Sequence, residues 1–415
     1  MSTTIITTAA WNKEFWPTGG TERAFLLLEL KGNTAESRTD RAPMNVSLVL
    51  DRSGSMEGTP LAFSKKACQF VTDQLSKSDQ LSMVAFDDQV QTIFAQQNVT
   101  HKDLMKKQIE TIGTGGCTNL SGGLLQGIQY VKQGQKEGSV NRVILLSDGH
   151  ANEGITDSAK LQSIAKEFSS MGVGITTMGV GDGFDEELME GIADHGGGNF
   201  YFIAKPEDIP SIFSKELEGL MSVIAQNVQL TIKPSESVSI NHIYGYKLEN
   251  TDQGLRLSLG DVFDQETKSI LVELSFHPHA AGKHKALDIQ WDYADVTNGA
   301  KLYSLQFAVE ASFTNDFNLL GQAPNSHVEK QVKITETALA IEHAIDAFDS
   351  GDEETGLKLL QQQADTMLCA AIQSEDAELR EEAQLLYNQL EDFSFSSQTR
   401  KSLHEQKYRQ IKRKK

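Results

Sequence analysis

Asp51-Arg52-Ser53-Gly54-Ser55 places one carboxylate and two hydroxyls within five residues. The stretch follows the apolar run Val46-Ser47-Leu48-Val49-Leu50, and a helix start at Thr59-Pro60 comes soon after it. A buried strand therefore delivers three oxygen donors to a turn loosened by Gly54. These are hard donors of the kind Mg²⁺ or Mn²⁺ prefers, and no cysteine or histidine stands beside them to make a zinc site. Two further segments add oxygens. Gly115-Gly116-Cys117-Thr118-Asn119-Leu120 is a glycine-rich loop with a hydroxyl just before a helix, and Val143-Ile144-Leu145-Leu146-Ser147-Asp148-Gly149 is a buried strand ending in a second carboxylate. Ser53 or Ser55 could cap the following helix, as serines at helix starts do. Capping accounts for one hydroxyl and leaves Thr118 and Asp148 without a role.

The ordered set Asp-x-Ser-x-Ser, then Thr, then Asp resembles the metal-ion-dependent adhesion site of the von Willebrand factor A domain. The likeness covers about residues 44 to 225 and extends to Met178-Gly179-Val180-Gly181 and Gly198-Asn199-Phe200-Tyr201-Phe202. It implies a metal touched by Ser53, Ser55 and Thr118, with Asp51 and Asp148 acting directly or through water. Mg²⁺ takes a near-octahedral array of oxygens and gives up water reluctantly. Neutral hydroxyls and water-bridged carboxylates leave such an ion electron-poor, so it accepts an Asp or Glu carboxylate from a protein partner. The implied function is a non-enzymatic, Mg²⁺- or Mn²⁺-dependent interaction scaffold. Likeness to cytoplasmic bacterial proteins of this kind adds an AAA+ ATPase as an alternative partner. An adhesin and a metal-dependent hydrolase, with His150 or a metal-bound water at work, are the remaining alternatives. Leu259-Gly260-Asp261-Val262 and Glu266–Leu274 also look like the β-sandwich companion of bacterial A-domain proteins.

Hydrophobic periodicity gives the elements that must hold this site. From about 45 to 225, strands apolar on both faces (Val46–Leu50, Leu81–Phe86, Val90–Phe94, Val143–Leu146, Val173–Val180, Phe200–Ile203) alternate with helical stripes such as Leu61, Cys68, Val71 and Leu75. That pattern predicts an α/β fold with a doubly wound, mostly parallel sheet covered on both faces, whose ligands bind at the carboxyl ends of the strands. A closing helix is expected over Pro206 to Ala225. After residue 226 the period becomes two, as in Val228, Leu230 and Ile232 or Leu287, Ile289 and Trp291, which predicts a β-sandwich. Ala24–Leu30 reads as a strand of the same sandwich, so the α/β domain is inserted within it. From about 328 the period is helical again, with hairpins turning at Ser350-Gly351-Asp352 and Ser374-Glu375-Asp376. The expected divisions are 1–43 (N-terminal sandwich segment), 44–225 (A domain), 226–320 (sandwich) and 321–415 (helical region with a basic tail).

Composition narrows the function classes. A chain of 415 residues exceeds one ordinary core. Its net charge of −19 disfavours general nucleic-acid binding, which needs a basic face. The tail residues Lys407, Arg409, Lys412, Arg413, Lys414 and Lys415 read as a solvated basic run. Cys68, Cys117 and Cys369 form neither a disulfide framework nor a zinc motif, which points to a reducing compartment. Without a signal-peptide pattern at Met1–Ile6 or a run of ~18 apolar residues, the expectation is a cytoplasmic protein with no membrane segment. His277, His279 and His284 lie in a Pro/Gly turn and read as a solvated loop. Gly179-Val180-Gly181-Asp182-Gly183 lacks a full nucleotide fingerprint and reads as a strand-end turn.

Overall fold

Strands buried along their whole length need cover on both faces, and here they form the centre of the molecule. The structure is a computed structural model that describes residues 4–33, 41–149, 151–181, 183–246, 248–391 and 397–412. His150 and residues 413–415 of the basic tail lie outside the described residues.

The chain begins with β1 (Ile5–Trp11), β2 (Phe15–Pro17) and β3 (Thr21–Gly32), then enters an α/β unit. That unit runs β4 (Met44–Asp51), α1 (Thr59–Gln74), β5 (Gln80–Phe86), β6 (Val90–Asn98), α2 (Lys102–Glu110), α3 (Leu120–Gly134), β7 (Val140–Ser147), α4 (Ser158–Ser170), β8 (Gly174–Val180), α5 (Glu186–Gly196), β9 (Gly197–Ile203) and α6 (Ile209–Met221). Its six-stranded sheet has the order β6-β5-β4-β7-β8-β9. All neighbours are parallel except β5 and β6, so the edge strand is antiparallel. One face is packed by α1 and α6 through Leu61, Cys68, Val71, Ile209 and Phe213. The other is packed by α3, α4 and α5 through Leu124, Leu161 and Leu188. With β4 central and neighboured by β5 and β7, the ends of three adjacent parallel strands open onto one edge, the place where such sheets hold ligands.

The expected closing helix is shorter than its apolar stripe. It ends at Met221, and Val223–Pro234 is strand β10, with Val223 opposite Phe263 and Ala225 opposite Val262. Val223 and Ile224 are β-branched, and strand pairing takes them where three-four spacing alone would continue the helix.

Beyond β10 come β11 (Val238–Ile243), β12 (Glu249–Thr251), β13 (Gly254–Phe263), β14 (Thr267–Phe276), β15 (Gly282–Asp295) and β16 (Lys301–Thr314). They form one sheet of order β1-β3-β14-β11 and a second of order β12-β13-β10-β15-β16-β2. The sheets share a core, with Leu26, Leu28 and Ile270 from the first against Leu230, Leu287 and Trp291 from the second. The chain thus leaves the sandwich after β3 and returns at β10, as the early apolar strand predicts. Arg142 of β7 and Asp261 of β13 make a buried ion pair at 2.7 Å between the α/β unit and the sandwich. His279 stacks on Phe313 and His284 meets that ring edge-on, and among the described residues no group of three or more His, Cys, Asp or Glu is arranged to hold a metal.

After the short α7 (Phe317–Leu320), the helices α8 (Ser326–Asp349), α9 (Glu353–Ser374), α10 (Ala377–Glu391) and α11 (Ser397–Lys412) follow. Ile341 and Phe348 of α8 pack on Leu360 and Ala364 of α9 and on Leu403 of α11. The reading of the tail as a solvated run is corrected for its described part. Tyr408 is buried in the α/β core, Lys407 lies 3.8 Å from both Glu190 and Glu342, and Arg409 pairs with Glu382 at 3.1 Å. The basic side chains sit on an apolar stripe that docks, and acidic residues of α5, α8 and α10 meet them.

Candidate metal centre

Asp51 closes β4 and is fully buried. Its Oδ1 accepts the Ser53 backbone N–H at 2.8 Å, and its Oδ2 accepts the Ser147 hydroxyl at 2.5 Å. The turn that follows is tied to the glycine-rich loop by two backbone bonds, Gly115 N–H to Arg52 carbonyl (2.7 Å) and Gly54 N–H to Gly116 carbonyl (3.0 Å). A third strand end joins them. Arg52 N–H donates to the Phe86 carbonyl at 2.8 Å, and the Arg52 guanidinium meets Asp87 Oδ1 at 3.0 Å. Asp87 Oδ2 accepts Gly116 N–H, and the approach is so close that a Cβ on Gly115 would stand 1.6 Å from that oxygen. Asn119 then caps α3 by accepting Gly122 N–H at 2.9 Å.

The five donors expected from the sequence meet on this frame. Ser53 Oγ and Ser55 Oγ are 3.2 Å apart, and Ser55 Oγ donates to Asp148 Oδ1 at 2.7 Å. Thr118 stands beside the Asp148-Gly149 turn, where a Cβ on Gly149 would lie 3.1 Å from Thr118 Oγ1. Ser53, Thr118 and Asp148 are buried, while Ser55 is exposed and opens the cluster to solvent.

The electrostatics separate the three carboxylates. Burial pushes Asp148 up to about 6, with the Ser55 bond opposing and the Asp51 charge adding to the rise. Burial also raises Asp51, against the bonds from Ser147 and Ser53. Asp87 is held below the usual carboxylate range, because bonds from Gln89 N–H, Gly116 N–H and Arg52 outweigh its burial. Asp87 therefore serves as an ionised brace, whereas Asp51 and Asp148 are two adjacent carboxylates whose charge the protein alone does not compensate. A hard divalent cation fits this donor set of hydroxyls and carboxylates. Sequence reasoning missed Arg52, Asp87 and Ser147. The available signal was Asp87 at the end of the apolar strand Leu81–Phe86, a third carboxylate at a third strand end.

Residues 45–215 match the von Willebrand factor type A domain family, and with the sheet order above this part of the chain is a domain of that family. The fold likeness extends further. A von Willebrand factor type A protein from Catenulispora acidiphila superposes with TM-score 0.77 over 98% of this chain and 96% of its own, at 19% identity. The ArnB paralog VWA2 from Sulfolobus acidocaldarius gives 0.66 over 99% of each chain, at 16% identity. At such identities the likeness concerns the fold, and it includes the sandwich and the helices as well as the α/β unit. Among sequence relatives, the uncharacterized protein sll0103 of Synechocystis sp. is 29% identical over 64% of this chain. Inter-alpha-trypsin inhibitor heavy chain H2 of Mus musculus is 26% identical over 51%. The matches span 65% and 24% of those two proteins.

Proposed function

We propose that the protein is a divalent-metal-dependent interaction scaffold. Mg²⁺ or Mn²⁺ is held by Ser53, Ser55 and Thr118, with Asp51 and Asp148 acting directly or through water, and the ion accepts an Asp or Glu carboxylate of a protein partner. The observation that carries this reading is the Ser55–Asp148 contact at a solvent-open edge. It joins two chain segments into one donor set with a side left for a partner. When bound, the metal supplies the positive charge that a partner's carboxylate needs; the chain's residues hold the donors in place and keep Asp87 ionised as a brace.

The role proposed is non-enzymatic, since hydroxyls and carboxylates around a hard cation with an open side suffice to hold a partner's carboxylate. Cys68, Cys117 and Cys369 are all free thiols, which supports a reducing, cytoplasmic setting, and no helix among the described residues is long and apolar enough to cross a membrane. An AAA+ ATPase is one partner class that the test below would reveal. The test is a pull-down with wild type and Asp51→Ala, each with Mg²⁺ and with EDTA. Partners retained only by wild type with Mg²⁺ are expected, and retention unchanged by EDTA would sink the reading.

A further inference from the structure

Lys401 of α11 is only 2% exposed, and burying an ammonium group costs free energy unless partners replace its water. Its Nζ donates to the Phe184 carbonyl at 2.8 Å, stands 3.8 Å from the Phe184 ring centroid and lies 3.6 Å from Glu186 Oε2. The neighbouring Arg400 contacts Glu186, Glu187 and Asp349, which binds the start of α5 and the end of α8 to the same helix. One turn pair further on, Tyr408 packs edge-on against Phe200 of β9.

These contacts converge on the turn between β8 and α5. The Phe184 ring lies over Gly179, where a Cβ would stand 2.3 Å from it, and touches Phe200 and Phe202. Gly183, one residue before Phe184, presses on the backbone of Asp148: a Cβ there would lie 2.6 Å from the Asp148 carbonyl oxygen. Asp148 is the residue whose carboxylate receives the Ser55 hydroxyl. A continuous line of contact therefore runs from Lys401 through the Phe184 carbonyl and Gly183 to Asp148.

We propose that Lys401 is a positioning residue for the metal centre. By pinning the Gly183–Phe184 turn, it keeps the Asp148 carboxylate within reach of Ser55 and couples the C-terminal helix to cation affinity. The inference rests on Asp148 being a metal ligand, as proposed above. Lys401→Met keeps the length and packing of the side chain while removing the donor and the charge; Lys401→Arg keeps both. The full chain and both variants are titrated with Mg²⁺ by calorimetry, and amide hydrogen exchange is followed at residues 148–149 and 183–185 without metal.

Lys401→Met is expected to weaken Mg²⁺ binding about threefold, less than the ~10–100-fold cost of losing a group bonded directly to a metal ligand. It is also expected to speed exchange at both segments, with Lys401→Arg close to wild type in both. Wild-type Mg²⁺ affinity in a folded Lys401→Met protein overturns the proposal, as does faster exchange confined to 183–185. Should Lys401→Met not fold, Glu186→Gln is read in the same two ways. Failure of wild type itself to bind Mg²⁺ overturns the metal reading, while unchanged exchange at 148–149 in Lys401→Met overturns the coupling independently.

Discussion

Ser55 and Asp148 stand 93 residues apart in the chain, yet the Ser55 hydroxyl donates to Asp148 Oδ1 at 2.7 Å. The bond spans two strand ends and defines the open side of the donor cluster. Because both Asp51 and Asp148 are raised by burial, the metal-free cluster stores unfavourable charge that a cation would relieve.

That charge gives the first prediction. Without metal, Asp148→Asn melts at or above the wild-type temperature, since it removes one of two uncompensated buried carboxylates. Mg²⁺ at about 100 times its dissociation constant stabilises wild type by ~2.7 kcal/mol and leaves Asp148→Asn unchanged. Thermal shift with and without Mg²⁺ reads both; an equal Mg²⁺ shift in the variant would contradict the assignment.

Asp87 braces the turn without belonging to the donor set. Gly115→Ala would drive a methyl group into its carboxylate, and Asp87 would have to release Gly116 N–H or Arg52. The expected cost is about 1–3 kcal/mol. Arg52→Ala, which leaves the donors intact, is expected to weaken Mg²⁺ binding several-fold, below the ~10–100-fold cost of losing a group bonded directly to a metal ligand. Chemical denaturation and calorimetry separate the two effects, and wild-type Mg²⁺ affinity in Arg52→Ala would remove Asp87 and Arg52 from the site.

Acid stability depends on a different carboxylate. Asp79 is fully buried, and its two oxygens take Arg41, the Met44 N–H and both the N–H and hydroxyl of Ser76. Burial alone would raise it, but these bonds hold it below the ordinary value. A depressed folded pKa means stability that is present above the unfolded value near ~3.9 and lost as pH falls through the folded value. Asp79→Asn should cost about 2–4 kcal/mol at pH 7 and show a flatter decline below about pH 4 than wild type. Urea unfolding from pH 7 down to pH 3 measures this; parallel curves would be the contrary result.

Arg142 and Asp261 hold the α/β unit to the sandwich through one buried ion pair. Arg142→Met leaves Asp261 buried with only the Lys268 charge and the Asn227 N–H to offset it among the described residues, and is expected to cost about 3–5 kcal/mol. Adding Asp261→Leu should recover part of that loss, because the buried carboxylate is then gone while Lys268 keeps its bond to the Leu259 carbonyl. A single substitution costing under about 1 kcal/mol, measured by urea unfolding, would show that the pair does not lock the units.

The centre of the α/β unit was legible because apolar runs, Leu48–Leu50 and Val143–Leu146, lead up to the carboxyl ends of β4 and β7, so the chemistry stands out where those runs stop. Asp51 and Asp148 occupy those ends, and Thr118 sits in a loop marked by its glycines. Arg52 and Asp87 were not legible as a pair, since an Arg between an Asp and a Ser looks like any solvated charge. The closing helix was overextended because Val223 and Ile224 fit a helical stripe and a strand equally well. Only the pairing of Val223 with Phe263 decides between them.

The sequence by itself determined the class of fold, because hydrophobic periodicity is a local property. Only the tertiary structure decided that Ser55 reaches Asp148, that Asp87 is held low while Asp51 and Asp148 are raised, and that the described part of the basic tail belongs to a helix docked on α8 and β9. Those outcomes depend on which charges meet across long loops and how much water remains between them, and local sequence carries neither.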